Sequence, residues 1–260
     1  MKRNICLIVL SVMIGTPLYS AVKKLTDAQA LELVRVVDDR QRNSGDFKSS
    51  AFLKETERGK TPRVYEAVVY RRDVDNKFMI LFLKPKEEAG KGYLKIDKNL
   101  WMYDPSTGKW DRRTEREKIA GTNSRRSDFD ESRLAEEYTV KYEAVEKLGK
   151  FDAYKVTLTV KKGIDVAYPK ITMWIDAENS NILKRDEFAL SGRLLRTTFY
   201  PKWSKQYSQS KKADVWVPQE MRIFDKLEVG NSTIILIKEV DLNSLPANIF
   251  TKAWLESKSR

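Results

Sequence analysis

The chain has 260 residues, with 49 Lys and Arg against 37 Asp and Glu, a formal net charge of +12, no histidine and a single cysteine, Cys6. That inventory excludes disulfides, Ser-His-Asp and Cys-His catalysis, and zinc sites built from nitrogen and sulfur ligands. The basic excess is scattered among acids, with only short pairs such as Arg125-Arg126 and Lys211-Lys212, so it argues against nucleic acid as a partner and for a solvated face that suits anionic headgroups.

Lys2 and Arg3 precede an apolar run, Ile5 to Ile14, that ends at Gly15-Thr16-Pro17. Charge and length predict a secretory signal peptide over residues 1–20, followed by a single exported domain over 21–260. A membrane-spanning helix needs roughly 20 apolar residues, and no later segment approaches that length. Cys6 lies too early in the apolar run to serve as a lipid anchor at the cleavage point. A domain of about 240 residues buries roughly 70% or more of its unfolded surface, which suffices for a core without cross-links.

Thr26-Asp27-Ala28-Gln29 is a capping box, and Ala30, Leu33, Val34 and Val37 then recur at helical spacing, with Gly45 beyond the polar end. One amphipathic helix is predicted over 27–42. From there on the pattern is strand. Alternating runs are predicted at 47–57, 63–72, 77–84, 92–96, 99–104, 109–113, 138–147, 154–161, 170–176, 181–188, 193–200, 214–224 and 231–240, separated by turn residues. Phe78, Ile80 and Phe82 share one face of their strand, and Met79, Leu81 and Leu83 share the other. Either both faces are covered by protein, or one lines an apolar cavity.

In "DKNLWMYDPSTGKWDRR", a turn over Pro105 to Gly108 sets Tyr103 opposite Trp110 and Trp101 opposite Arg112 on one face, with Leu100, Met102, Asp111 and Arg113 on the other. Two stretches break the rhythm. Residues 114–137 form a long polar connection whose second half suits a short helix near 129–137, capped at Asp128 or Ser127, and residues 201–212 read as a polar loop carrying Trp203 and Tyr207. The fold class expected is mainly β (α+β): an antiparallel meander of about 10–13 strands curled around the N-terminal helix.

Catalytic motifs are poorly supported. S-x-x-K occurs at Ser106 to Lys109 and Ser208 to Lys211, but in a turn and a loop, where no helix aims the two side chains together. Adjacent carboxylates such as Asp38-Asp39, Glu87-Glu88 and Glu136-Glu137 diverge on a helix or strand. Neither a calcium loop nor a phosphate-cradling glycine motif is present. No catalytic residue, metal or cofactor is expected, which leaves binding through shape and apolar surface.

The stretch "GYLKIDKNLWMYDP", residues 92–105, resembles the hallmark segment of the LolA-like family, periplasmic carriers and sorting factors for outer-membrane lipoproteins. The resemblance extends back through the capped helix, "GDFKSSAFLKE" at 45–55 and "VVYRRDVDNKFMI" at 68–80, and forward through "LNSLPANIFT" at 242–251. The extra length at 114–137 and 201–212 is more like the larger outer membrane lipoprotein-sorting relatives. The family implies an incomplete barrel whose concave apolar face is lidded by helices, with acyl chains between, and no catalysis. In the carrier a basic residue on the second strand helps hold the lid closed. Arg71 and Arg72 match that position, with Asp73 where a proline commonly follows.

Within that resemblance Phe78, Ile80, Phe82, Trp101, Tyr103, Met173 and Ile175 are expected to line the apolar groove, and Arg71 or Arg72 to make a lid or headgroup contact. The implied partners are lipoprotein acyl chains or another envelope lipid, with an inner- or outer-membrane protein receptor. The alternative is a sensor or interaction module that binds a membrane-protein partner and reports on envelope lipids.

Overall fold

The computed structural model describes residues 22–42, 44–96, 99–114, 117–125, 128 and 132–259. The signal-peptide segment therefore lies outside the described residues. In chain order the elements are α1 (Asp27–Arg42), β1 (Asp46–Thr56), β2 (Arg63–Arg72), β3 (Lys77–Lys84), β4 (Gly92–Ile96), β5 (Asn99–Asp104), β6 (Lys109–Arg113) and α2 (Leu134–Glu137). They continue with β7 (Tyr138–Leu148), β8 (Phe151–Val160), β9 (Lys170–Asp176), β10 (Ile182–Phe188), β11 (Leu194–Ser208), β12 (Ala213–Asp225), β13 (Ser232–Asp241) and α3 (Lys252–Lys258). Among the described residues no helix is long and apolar enough to cross a membrane.

All thirteen strands belong to one antiparallel sheet in the order β6-β5-β4-β3-β2-β1-β13-β12-β11-β10-β9-β8-β7. Every neighbour is a sequence neighbour except at β1 and β13, where the two ends of the meander pair in mid-sheet. The strands β6 and β7 remain as edges, so the curled antiparallel barrel is unclosed, as the resemblance implies. The stretch between them, residues 114–137, links the two edges.

The capping box forms as the sequence requires: Gln29 N donates to Thr26 Oγ1 at 3.2 Å and Thr26 N to Gln29 Oε1 at 2.9 Å. The apolar stripe Ala30, Val34 and Val37 packs on Val140, Val156, Leu158, Met173 and Ile175, filling the concave face over β7–β10. Asp38, buried on the same helix, accepts from Leu134 N at 3.0 Å and Ala135 N at 2.8 Å. It caps α2 from outside, satisfying amides that a helix start leaves free. The short helix expected near 129–137 is α2, at the C-terminal end of that range; Asp38, and not the expected Asp128, takes its first amides, and Ser127 lies outside the described residues. The expected loop at 201–212 is also corrected, because residues 201–208 continue β11, which pairs with β12 as far as Ser208↔Ala213.

The convex face over β3–β6 is covered too. α3 and the segment before it place Ile249, Phe250, Trp254 and Leu255 on Met79, Leu94, Tyr103 and Trp110. Gly92 makes this approach possible, since a Cβ there would sit 2.6 Å from Leu255 Cδ1 and 2.9 Å from the Ile80 carbonyl oxygen.

Candidate functional site

Between the half of the hollow filled by α1 and the sheet's far edge lies a largely apolar cavity open to solvent, about 1190 Å³ with the solvent at its mouth counted in. Alternation selects the wall. Phe47, Ala51 and Leu53 of β1, Ala67 and Val69 of β2, and Phe78, Ile80 and Phe82 of β3 all point into it. The wall continues on Ile235 and Ile237 of β13 and on Val217 and Met221 of β12. Two small residues make the room: Ala51 and Ala67 are direct cross-strand partners, flanked by Ile237 and Phe82.

One end of the cavity is stopped by Ile119. Its segment is stitched to the sheet by Ala120 N to Tyr93 Oη at 3.0 Å and Asn123 N to Thr233 Oγ1 at 2.9 Å. Farther along, Arg196 binds Asp128 with two bonds of 2.6 and 2.7 Å, and also donates from Nη2 and Nε to the buried Glu187 carboxylate. Arg185 Nη2 lies 2.9 Å from the same carboxylate. Desolvation would raise the Asp128 carboxyl, but the opposing Arg196 charge and its hydrogen bonds hold it below the ordinary carboxylate range. Four charges of balanced sign thus clamp the 114–137 connection to β10 and β11.

The other end of the cavity is polar, bordered by Arg40, Gln41, Ser44 and Arg71. Arg71 Nη2 donates to the Gln41 carbonyl at 2.5 Å and to Asp73 Oδ1 at 2.6 Å, joining β2 to the C-terminal turn of α1. Asp73 Oδ2 also accepts from Ser44 N at 2.6 Å and Gly45 N at 3.2 Å. Asp73 therefore fixes Ser44 and Gly45, just before β1, against the end of β2. The aromatic residues Tyr200, Trp203 and Trp216 complete this border.

The structure divides the residues expected in the groove. Phe78, Ile80 and Phe82 lie on the cavity wall. Met173 and Ile175 also face the hollow, but the α1 stripe packs directly on them. Trp101 and Tyr103 are a correction: they occupy the opposite, convex face, where Tyr103 joins the cluster under α3 and Lys252 Nζ sits 4.3 Å from the Trp101 ring centroid. The register tying Trp101 to Arg112 and Tyr103 to Trp110 is as expected, and the residues of β5 that face the concave core are Leu100 and Met102. The two arginines separate in the same way. Arg71 borders the cavity, whereas Arg72 faces outward, pairing with Asp46 through two 3.1 Å bonds, donating to the Leu245 carbonyl and lying over Phe250.

Sequence reasoning missed Ala51, Ala67, Ile235 and Ile237. Their signal was present in the alternation of β13 and in small residues at inward positions of two adjacent strands.

The sequence model of a family described as an uncharacterized protein matches residues 74–257. No curated protein matches the chain. Among solved structures, a DUF1329 family protein from Desulfovibrio piger is similar with a TM-score of 0.76 and 20% identity, over 88% of this chain and 98% of that one. An outer membrane lipoprotein-sorting protein domain from Vibrio parahaemolyticus is similar with a TM-score of 0.75 and 19% identity, over 89% of this chain and 100% of that one. A LolA superfamily protein from Nitrosomonas europaea gives 0.69 and 20%, over 88% and 99%.

Proposed function

From the premise that this chain belongs to the family of uncharacterized proteins it matches over residues 74–257 and has the LolA fold, we propose that it is a non-enzymatic periplasmic carrier. Its cargo is the acyl chains of a lipoprotein or another envelope lipid, shielded in the cavity between β1–β3 and β12–β13. The observation that carries this reading is the hollow itself: an apolar cavity walled by strands on its long sides and bordered by arginines at one end. Burying about ten methylenes there supplies about 8 kcal/mol, a micromolar dissociation constant, without a catalytic group. Export agrees with the basic and apolar segment from Lys2 to Pro17.

A module that only grips a membrane-protein partner has no use for such a hollow and is served better by a filled interior with an apolar patch outside. Native mass spectrometry of the protein purified from its own envelope tests the choice. Adducts that carry acyl mass and are displaced by added fatty acid are expected. Protein that emerges bare and takes up no fatty acid would remove the carrier reading.

A further inference from the structure

β11 pairs with β10 only as far as Phe199, opposite Lys184, and β12 pairs with β13 only from Glu220, opposite Leu236. Beyond those points, from Trp203↔Pro218 to Ser208↔Ala213, the two strands pair with each other alone. The base of this two-stranded arm carries two register shifts, between Phe199 and Lys202 and between Lys202 and Trp203, and a proline on each strand, Pro201 and Pro218. Bulges bend strands and interrupt pairing, and proline removes a donor, so the ladder is broken at the base of the arm. Next to the arm, Ile237 of β13 keeps its pairing with Ala51 of β1. The sheet is therefore split between β12 and β13, and the cavity lies behind the split, with Trp216, Val217 and Pro218 on one side and Ile237 on the other.

The tip of the arm is latched rather than packed. Ser208 Oγ donates to the Ser44 carbonyl at 2.9 Å, and Ser210 Oγ accepts from Asp46 N at 2.9 Å. Gly45, at φ +82°, gives the clearance, since a Cβ would meet Ser210 Oγ at 2.2 Å. Trp203, stacked on Tyr200, adds one bond from Nε1 to the Ile182 carbonyl at 2.9 Å. These are neutral hydrogen bonds, individually weak against water. Apolar contact is lighter on the arm than on α1: on the arm Val217 is buried in the cavity wall and Val215, Tyr200 and Trp203 are partly buried, whereas α1 buries Ala30, Val34 and Val37 and adds the Asp38 cap and the Arg71 bond.

We propose that the arm of residues 200–219, and not α1, is the gate of the cavity, swinging at its bulged base to admit an apolar ligand through the split between β12 and β13. The ligand class rests on the acyl-carrier reading above; the moving element does not.

Two measurements decide it, both in the full chain with Cys6→Ser. Spin labels on Gln209→Cys, at the arm tip, and Lys54→Cys, on β1, both exposed, report the distance in ligand-free protein. A second, longer population is expected, enlarged severalfold by Ser208→Ala with Ser210→Ala. A single distance that is indifferent to loss of the serines overturns the gate. Separately, Ser44→Cys with Ser208→Cys fastens the tip when oxidised. Stopped-flow binding of a dansyl-labelled fatty acid is expected to slow at least tenfold and to recover with dithiothreitol, and equal association rates in both states overturn the proposal. Should neither state bind the probe, the acyl reading falls, and the distance distribution by itself decides for or against a moving arm.

Discussion

Replacing Ala67 with leucine tests the hollow directly. Ala67 has no exposed surface, lies beside Ala51 and Phe82, and points into the cavity. The substitution adds three carbons to the wall. If a ligand chain occupies that space, they displace about three of its methylenes, at about 0.8 kcal/mol each. Binding of a dansyl-labelled fatty acid should weaken by about 2.4 kcal/mol, roughly fifty-fold in Kd. Because the added group enters open volume, the urea midpoint should hold or rise slightly. Ala153→Leu is the counterpart: Ala153 is equally buried, but among Trp174 and Leu183 on the convex face. There overpacking should cost about 1–3 kcal/mol and leave affinity unchanged. An Ala67→Leu protein that binds the probe within twofold of the parent, or that loses stability as Ala153→Leu does, would mean the space is not where ligand goes.

Arg196→Met should destabilise by about 3–5 kcal/mol in urea titration, because it leaves the Glu187 carboxylate buried and Asp128 without its cation. Asp128 also gives a pH signature. Its folded pKa is depressed, so its contribution is present above the unfolded value of about 4 and is lost as pH falls through the lower folded value. The urea midpoint of the parent should therefore fall below about pH 4 more steeply than that of Asp128→Asn. Gly92→Ala should push Leu255 off its seat and loosen α3, seen as red-shifted tryptophan emission and faster proteolysis after residue 241, while fatty-acid affinity stays within twofold.

The strand ladder was legible because its signals are local: alternation, turn residues and a capping box each act within a few positions. Even the pairing of Trp101 with Arg112 followed from one turn. Which face of that hairpin is concave did not follow, because the answer depends on a helix far along the chain. α3 spans only seven residues, Lys252–Lys258, and buries mainly Leu255 and part of Trp254, too few for a periodic pattern. The same limit hid the arm. Residues 201–208 look polar because they pair with β12 alone and have little core to face, so they lack the inward apolar row that marks a covered strand. The 114–137 connection misled in the opposite sense: Thr122, Asn123 and Ser124 are polar but buried, and their place is set by partners on β13 and β11 that no local pattern could supply.

The position of the cavity follows from a mismatch of lengths. α1 has 16 residues, about 24 Å of helix, whereas thirteen strands at about 4.8 Å spacing make a sheet more than twice that wide even before curling. One helix can therefore cover only part of the concave face, and its stripe lies over β7–β10. The remaining part, over β1–β3 and β12–β13, has no second long helix among the described residues. It is stopped at one end by Ile119 and bordered at the other by the arm and the Arg71 turn. Two alanines at the centre of that part keep the wall low. A leucine at either position would partly fill what the missing helix leaves open, so the pair Ala51 and Ala67, rather than the large aromatic residues, is what sets the size of the hollow.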